Sequence, residues 1–257
     1  MDLKLLGSIL LIVGTSIGAG MLGLPIVAAE LGFSGSLLLL FGCWLIMTVS
    51  AFLILEVNLW LPQNNNLISM AKATLGPFGQ IISWLTYLLL LYSLLCAYIA
   101  GGSDLFYSLF AMKGIELSQQ TAAILFTIIF GSIVFLGIRS VDQVNRWLIL
   151  LKFSAYFILV ALLFPFISLD KLSSGNLAHL SSAAAITVTI TSFGFAIIIP
   201  SLRVYFSGNI PKLKTALLIG SLIPLFIYII WDLVIMGVIP LQGKESLVSI
   251  LHSANST

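Results

Sequence analysis

Small, polar and flexible residues interrupt two apolar runs of this chain, and they are the residues best placed to do chemistry. Gly14-Thr15-Ser16-Ile17-Gly18-Ala19-Gly20 divides an uncharged stretch from Leu5 to Ala29, with Pro25 seven residues past Gly18. Thr191-Ser192-Phe193-Gly194-Phe195-Ala196 divides a second stretch, with Pro200 six residues past Gly194. An unsatisfied peptide N–H or C=O is costly in hydrocarbon, so irregular backbone survives there only where protein, water or a bound solute satisfies it. A broken helix offers carbonyls at the end of its first half and N–H groups at the start of its second, which suit a cation and an anion respectively.

Ionisable residues inside apolar runs form the second group. Glu56, Lys152 and Asp232 fall within predicted spans, where a charged group is costly enough to suggest a function. Each has a structural alternative. Glu56 sits near the end of its span and reaches the interface, the long stem of Lys152 lets its ammonium snorkel, and Asp232 can pair with another helix or be held protonated. Asp104, nearer a helix end, reads as interfacial. Tyr92 and Tyr98 are weaker site candidates. Cys43 and Cys96 lie within spans as apolar packing residues, and His179 and His252 sit in polar connectors, so no metal site is expected. No zinc-protease motif, nucleophile elbow, phosphate-binding loop or cofactor motif occurs, and the chain does not read as an enzyme.

These residues must be positioned by membrane helices. Hydrophobic residues make up 60% of the chain and charged residues 8%, which excludes an ordinary soluble domain and a disordered one. At about 20 residues per crossing, roughly seven spans are expected, near 5–29, 35–60, 80–110, 121–138, 147–167, 183–206 and 215–240. Breakers separate them: Gly32 with Ser34 and Gly35, Pro62 to Asn66, Gly76-Pro77, Gly114, Gly175-Asn176, and Asn209 with Pro211. The first run continues past the short core of a cleaved signal peptide and is expected to be retained. Eight Lys and Arg residues near one side (4, 72, 139, 146, 152, 203, 212 and 214) against three on the other (113, 171 and 244) place the N-terminus in the cytoplasm. The net charge of +2 is a topology signal, with no basic stripe for nucleic acid.

Positions one and six in this order are separated by five crossings, an odd number that reverses direction. Interrupted helices at corresponding positions of two inverted halves point to a binding site at the bilayer midplane. Packing is the competing reading. Gly14 and Gly18 have the spacing that lets two helices approach closely, and Pro200 can simply kink a helix.

GTSIGAGMLGLP from Gly14 to Pro25, LEVNLWLP from Leu55 to Pro62, AYIAGGS from Ala97 to Ser103 and SFGFAIIIPSL from Ser192 to Leu202 resemble the hydroxy and aromatic amino acid permeases. These belong to the amino acid, polyamine and organocation transporters. The resemblance implies an all-α integral membrane protein with a LeuT-type fold, in which helices one and six are broken. A single transmembrane domain over 1–257 would comprise a first five-helix repeat over 1–170, two helices of the inverted repeat over 183–240 and a polar tail over 241–257. It implies uptake of tyrosine, tryptophan or a related amino acid into a bacterial cell across the inner membrane, coupled to protons, and a lysine at the position of Lys152 acts in coupling in some relatives.

Against the family's usual count of about eleven spans, this chain would be incomplete. A truncated product, one portion of a split transporter and a fragment of a longer chain all remain open, as does a companion chain or oligomer supplying further helices. On the permease reading, Gly18, Ala19 and Gly20 offer N–H groups to the substrate carboxylate, and Thr15 and Ser16 contribute carbonyls or hydroxyls. Ser192, Phe193, Gly194 and Phe195 supply the opposing surface, with a phenylalanine ring against an aromatic substrate. The alternative is a membrane interaction or assembly subunit without independent transport.

Overall fold

The computed structural model describes residues 3–18, 20–63, 65–172 and 180–239, and those residues form helices and connectors without a strand. The expected polar tail, Ala19, the Gly175-Asn176 connector, Lys244, His179 and His252 lie outside the described residues. Helix is the form an apolar segment takes when its backbone must satisfy itself. In chain order the helices are α1 (Leu3–Ser16), α2 (Gly20–Leu59), α3 (Leu67–Ala111), α4 (Gln119–Phe135), α5 (Ile138–Leu163), the single turn α6 (Leu169–Leu172), α7 (Ala183–Ser192), α8 (Ile199–Tyr205) and α9 (Ile210–Val238). Two are divided internally by glycine. Gly32 lies at φ 74°, ψ 167° and Gly76 at φ 74°, ψ −169°, a region essentially restricted to residues without a Cβ. The first part of α2 therefore completes the first apolar run, and the remainder forms the second.

Leu31–Leu59, Leu67–Ala111, Gln143–Phe166, Ala183–Tyr205 and Ile210–Val238 are long and apolar enough to cross a membrane, while Lys4–Ser16 and Gln119–Phe135 are shorter apolar helices. The chain is an all-α, multi-pass membrane protein. Its helices extend beyond the expected spans at several starts. Helix α5 begins at Ile138 rather than 147, because the polar segment before Arg146 is helical although it carries no hydropathy signal. Helix α9 begins at Ile210 rather than 215, with Asn209 Oδ1 accepting from Lys212 N at 3.2 Å and Pro211 in the first turn. Helix α3 begins at Leu67, with its interruption at Gly76 rather than a start near 80.

The chain divides into two compact units, one of residues 1–70 with 157–257 and the other of residues 71–156. In the first, α9 packs on α1 and α2, and α7 packs on α2. The buried face of α9 runs through Leu213, Leu217, Gly220, Ser221, Pro224, Leu225, Tyr228 and Asp232, the three-and-four spacing of one helix face. Gly220 permits the α1 contact, since a Cβ there would stand 2.8 Å from Ile12 Cβ. At the far end of α9, Ser168 N donates to Gly237 O at 2.9 Å and Lys171 Nζ to Val238 O at 2.5 Å.

In the second unit, Phe106 of α3 meets Phe126 of α4 edge-on, at 5.6 Å between centroids. Gly102 makes room for that ring: a Cβ on it would lie 2.3 Å from Phe126. Asp104 accepts from Gln119 Nε2 at 2.8 Å and is exposed.

Candidate functional site

Both breaks occur where the sequence places them. Helix α1 ends at Ser16; Ile17 N still reaches Val13 O at 2.9 Å, but Gly18 N turns back to Ser16 O at 2.9 Å, and Gly20 opens α2. Thr15 faces outward and donates to Leu11 O at 2.8 Å, whereas Ser16 is buried and its Oγ has no hydrogen-bond partner. The second break follows Ser192, where Phe193 leaves helical geometry at φ −111°, ψ 25°. A 3₁₀ turn over Phe195–Ile198 then leads into α8. Ser192 Oγ donates to Val188 O at 2.7 Å, a back-bond that loosens a helix near its end.

The two breaks meet at α9. Tyr228 Oη lies 2.8 Å from Ser16 O and 3.3 Å from Ser192 O, so the last carbonyls of α1 and α7 converge on one phenol. Its ring meets Phe193 edge-on at 5.5 Å. Trp231 Nε1 donates to Met21 O at 2.9 Å, tying α9 also to the start of α2. Each helix C-terminus carries about half a negative charge, so two together attract positive charge, beside the N-terminal end of α2. Converging carbonyls and an orphaned hydroxyl suit a small cationic group such as an ammonium.

Two glycines bring α2 against α7. A Cβ on Gly20 would lie 2.1 Å from Ser192 Oγ and 2.6 Å from Ser192 Cβ, and one on Gly23 would lie 3.0 Å from Val188 Cγ1. Close helix approach and site formation are thus combined here. Phe193 and Phe195 are both fully buried, whereas Gly194 is exposed. A ligand ring would reach either phenylalanine only after the two breaks move apart.

The three ionisable candidates differ sharply. Asp232 is fully buried one turn beyond Tyr228; Ser36 Oγ donates to its Oδ2 at 2.5 Å and its Oδ1 has no partner. Glu56 is exposed. Lys152 belongs to the other compact unit and is half-buried, its Nζ 5.7 Å from the Phe153 ring.

Sequence reasoning missed Ser36, Tyr228 and Arg203. Ser36 and Tyr228 meet residues 196 and 212 positions away, and no local pattern marks such partners. Arg203, buried in the last turn of α8, donates through Nη1 to Asn58 O and, at 2.9 Å, to Leu61 O. It closes the C-terminal end of α2, where positive charge complements the carbonyls. The LRVYF segment could have suggested this, since an arginine next to an apolar run needs acceptors.

Residues 1–256 match the tryptophan/tyrosine permease family. Tyrosine-specific transport system 2 of Haemophilus influenzae is 38% identical over 92% of this chain and 59% of its own length. Glutamine transporter 2 of Aliivibrio fischeri is 32% identical over 92% of this chain and 62% of its own length. The tryptophan-specific transport protein of Haemophilus influenzae is 30% identical, over 92% and 59%. The chain thus spans about three-fifths of the length of these relatives. No solved structure matches it.

Proposed function

We propose that this chain, which belongs to the tryptophan/tyrosine permease family, holds an aromatic amino acid at its paired helix breaks and contributes to proton-coupled import across the bacterial inner membrane. The observation that carries this reading is the convergence of Ser16 O and Ser192 O beside the orphaned Ser16 Oγ. The substrate ammonium takes the carbonyls, and the carboxylate meets the N–H groups at the opening of α2, Gly20 first, with Gly18 N exchanging its bond to Ser16 O for the carboxylate. Thr15 lines the approach to the break. The ring packs toward Phe193 and Phe195, an aromatic contact contributing about 0.5–1.5 kcal/mol beyond area burial.

Transport follows from alternating access on a LeuT-type scaffold, with the N-terminus cytoplasmic, residues 1–170 as the first five-helix repeat and 183–240 as the first two helices of its inverted counterpart. Asp232 is the favoured proton carrier among the three candidates, because it is fully buried and lies one turn from the phenol that touches both breaks. Glu56 is exposed and Lys152 half-buried, so neither is enclosed as Asp232 is. The relatives named for tyrosine and tryptophan support an aromatic substrate, and the one named for glutamine makes glutamine the necessary competitor in any test.

An assembly role without independent transport is the second reading. It is favoured by α3, whose most apolar stretch has no buried residue. Uptake of radiolabelled tyrosine, tryptophan and glutamine into proteoliposomes, with and without an inward proton gradient, separates the two. Gradient-driven accumulation of the aromatic amino acids supports import; none from a folded, correctly oriented protein favours assembly.

A further inference from the structure

We infer that Tyr228 is an internal competitor of the substrate ammonium: its hydroxyl holds the carbonyls of Ser16 and Ser192, and binding requires that it be displaced. This rests on the substrate reading above. A phenol has one proton to donate, yet Tyr228 Oη stands 2.8 Å from one helix-terminal carbonyl and 3.3 Å from the other. Ser16 O also accepts from Gly18 N at 2.9 Å, but the single phenolic proton cannot serve both carbonyls at once, and the unpartnered, buried Ser16 Oγ enlarges this acceptor set. An ammonium has three donors and a full charge, so it satisfies the same groups better than the phenol does. The position is also crowded, with a Cβ on Gly20 falling 3.1 Å from Tyr228 Oη. Phenol and ammonium therefore exclude one another.

The consequence is a coupling between occupancy and α9. While the phenol bridges both carbonyls, α1, α7 and α9 are fastened together at one point; when an ammonium takes the carbonyls, α9 loses its hold on the ends of α1 and α7 and keeps only the Trp231 Nε1 bond to Met21 O among these ties. A ligand lacking the amine cannot trigger this release. Recognition of the α-amino group is then built into the conformational response, beyond its contribution to affinity.

The test is equilibrium binding of radiolabelled tyrosine and of its des-amino analogue, 3-(4-hydroxyphenyl)propionate, to the purified chain in lipid nanodiscs. Tyr228→Phe removes the competing donor and keeps the ring against Phe193. We expect roughly 3- to 10-fold tighter tyrosine binding, the effect of one net hydrogen bond, with binding of the des-amino analogue unchanged. Weaker or unchanged tyrosine binding, or an equal gain for both ligands, overturns the inference while leaving the substrate reading intact. Absence of tyrosine binding by the unsubstituted chain overturns both. Should Tyr228→Phe fail to fold, 3-fluorotyrosine incorporated at position 228 retains the hydroxyl. Its fluorine resonance should move with tyrosine and stay with the des-amino analogue, and a resonance indifferent to tyrosine refutes the displacement.

Discussion

Replacing Gly20 by alanine should drive the two breaks apart, and the geometry assigns the cost to one neighbour. The added Cβ would lie 2.1 Å from Ser192 Oγ and 2.6 Å from Ser192 Cβ. The hydroxyl can rotate away, at the loss of its 2.7 Å bond to Val188 O, but Cβ is fixed to the backbone of α7. Overpacking of this kind costs about 1–3 kcal/mol, offset by up to about 1 kcal/mol from removing glycine from a helix. Because the 2.6 Å contact is with a Cβ that cannot rotate away, the upper part of that range applies, and a net loss of about 1–2 kcal/mol should lower the melting temperature by about 2–8 °C for a chain of this size.

Thermal unfolding in nanodiscs of Gly20→Ala, Ser192→Ala, Ser192→Gly and the two double variants forms a pair of mutant cycles. Ser192→Ala should rescue Gly20→Ala only partly, because the 2.6 Å contact remains. Ser192→Gly should rescue it with a coupling of about 1–2 kcal/mol. An unaltered melting temperature in Gly20→Ala, or equal rescue by alanine and glycine, would refute the close contact between the breaks.

Further expectations concern the polar groups around this contact. Asp232→Asn keeps the shape and an acceptor for Ser36, so it should fold with little change in melting temperature, yet lose at least about tenfold in gradient-driven tyrosine accumulation while retaining tyrosine exchange; undiminished accumulation would remove Asp232 as the proton carrier. Arg203→Met keeps the apolar stem but removes the Nη1 donor that serves both Asn58 O and Leu61 O, and denaturation should show a loss of about 1.5–3 kcal/mol. Gly32→Ala places a Cβ at φ 74°, ψ 167°, which should cost about 1–3 kcal/mol; a variant as stable as the parent would mean that the backbone relaxes elsewhere.

The interruptions at 14–20 and 191–196 were legible because flexible polar residues stand out against apolar surroundings. The connectors at Gly32, Gly76 and Gly114 were legible for a related reason, and all three have φ near 74°. Helix starts were harder to see. The polar turns opening α5 carry no hydropathy signal, although Asn209 and Pro211 in sequence are a start signal for α9 that hydropathy alone overlooks. Tyr228 was hidden because its meaning lies in two carbonyls, and backbone acceptors have no letter in a sequence. Ser36 was hidden because it becomes informative only when the fold brings Asp232 to it. The GxxxG spacing at Gly14 and Gly18 drew attention to helix packing, whereas the close approach to α7 is made at Gly20 and Gly23.

Equilibrium binding of tritiated tyrosine to the purified chain, with Gly20→Ala and the Gly20→Ala/Ser192→Gly pair as site controls, tests most directly whether the paired breaks form an amino acid site. Saturable binding should be competed by unlabelled tryptophan, weakened about tenfold or more by Gly20→Ala, equivalent to about 1.4 kcal/mol, and restored in the pair. Tyrosine binding that is absent, or that is indifferent to both substitutions, would contradict a site at the breaks.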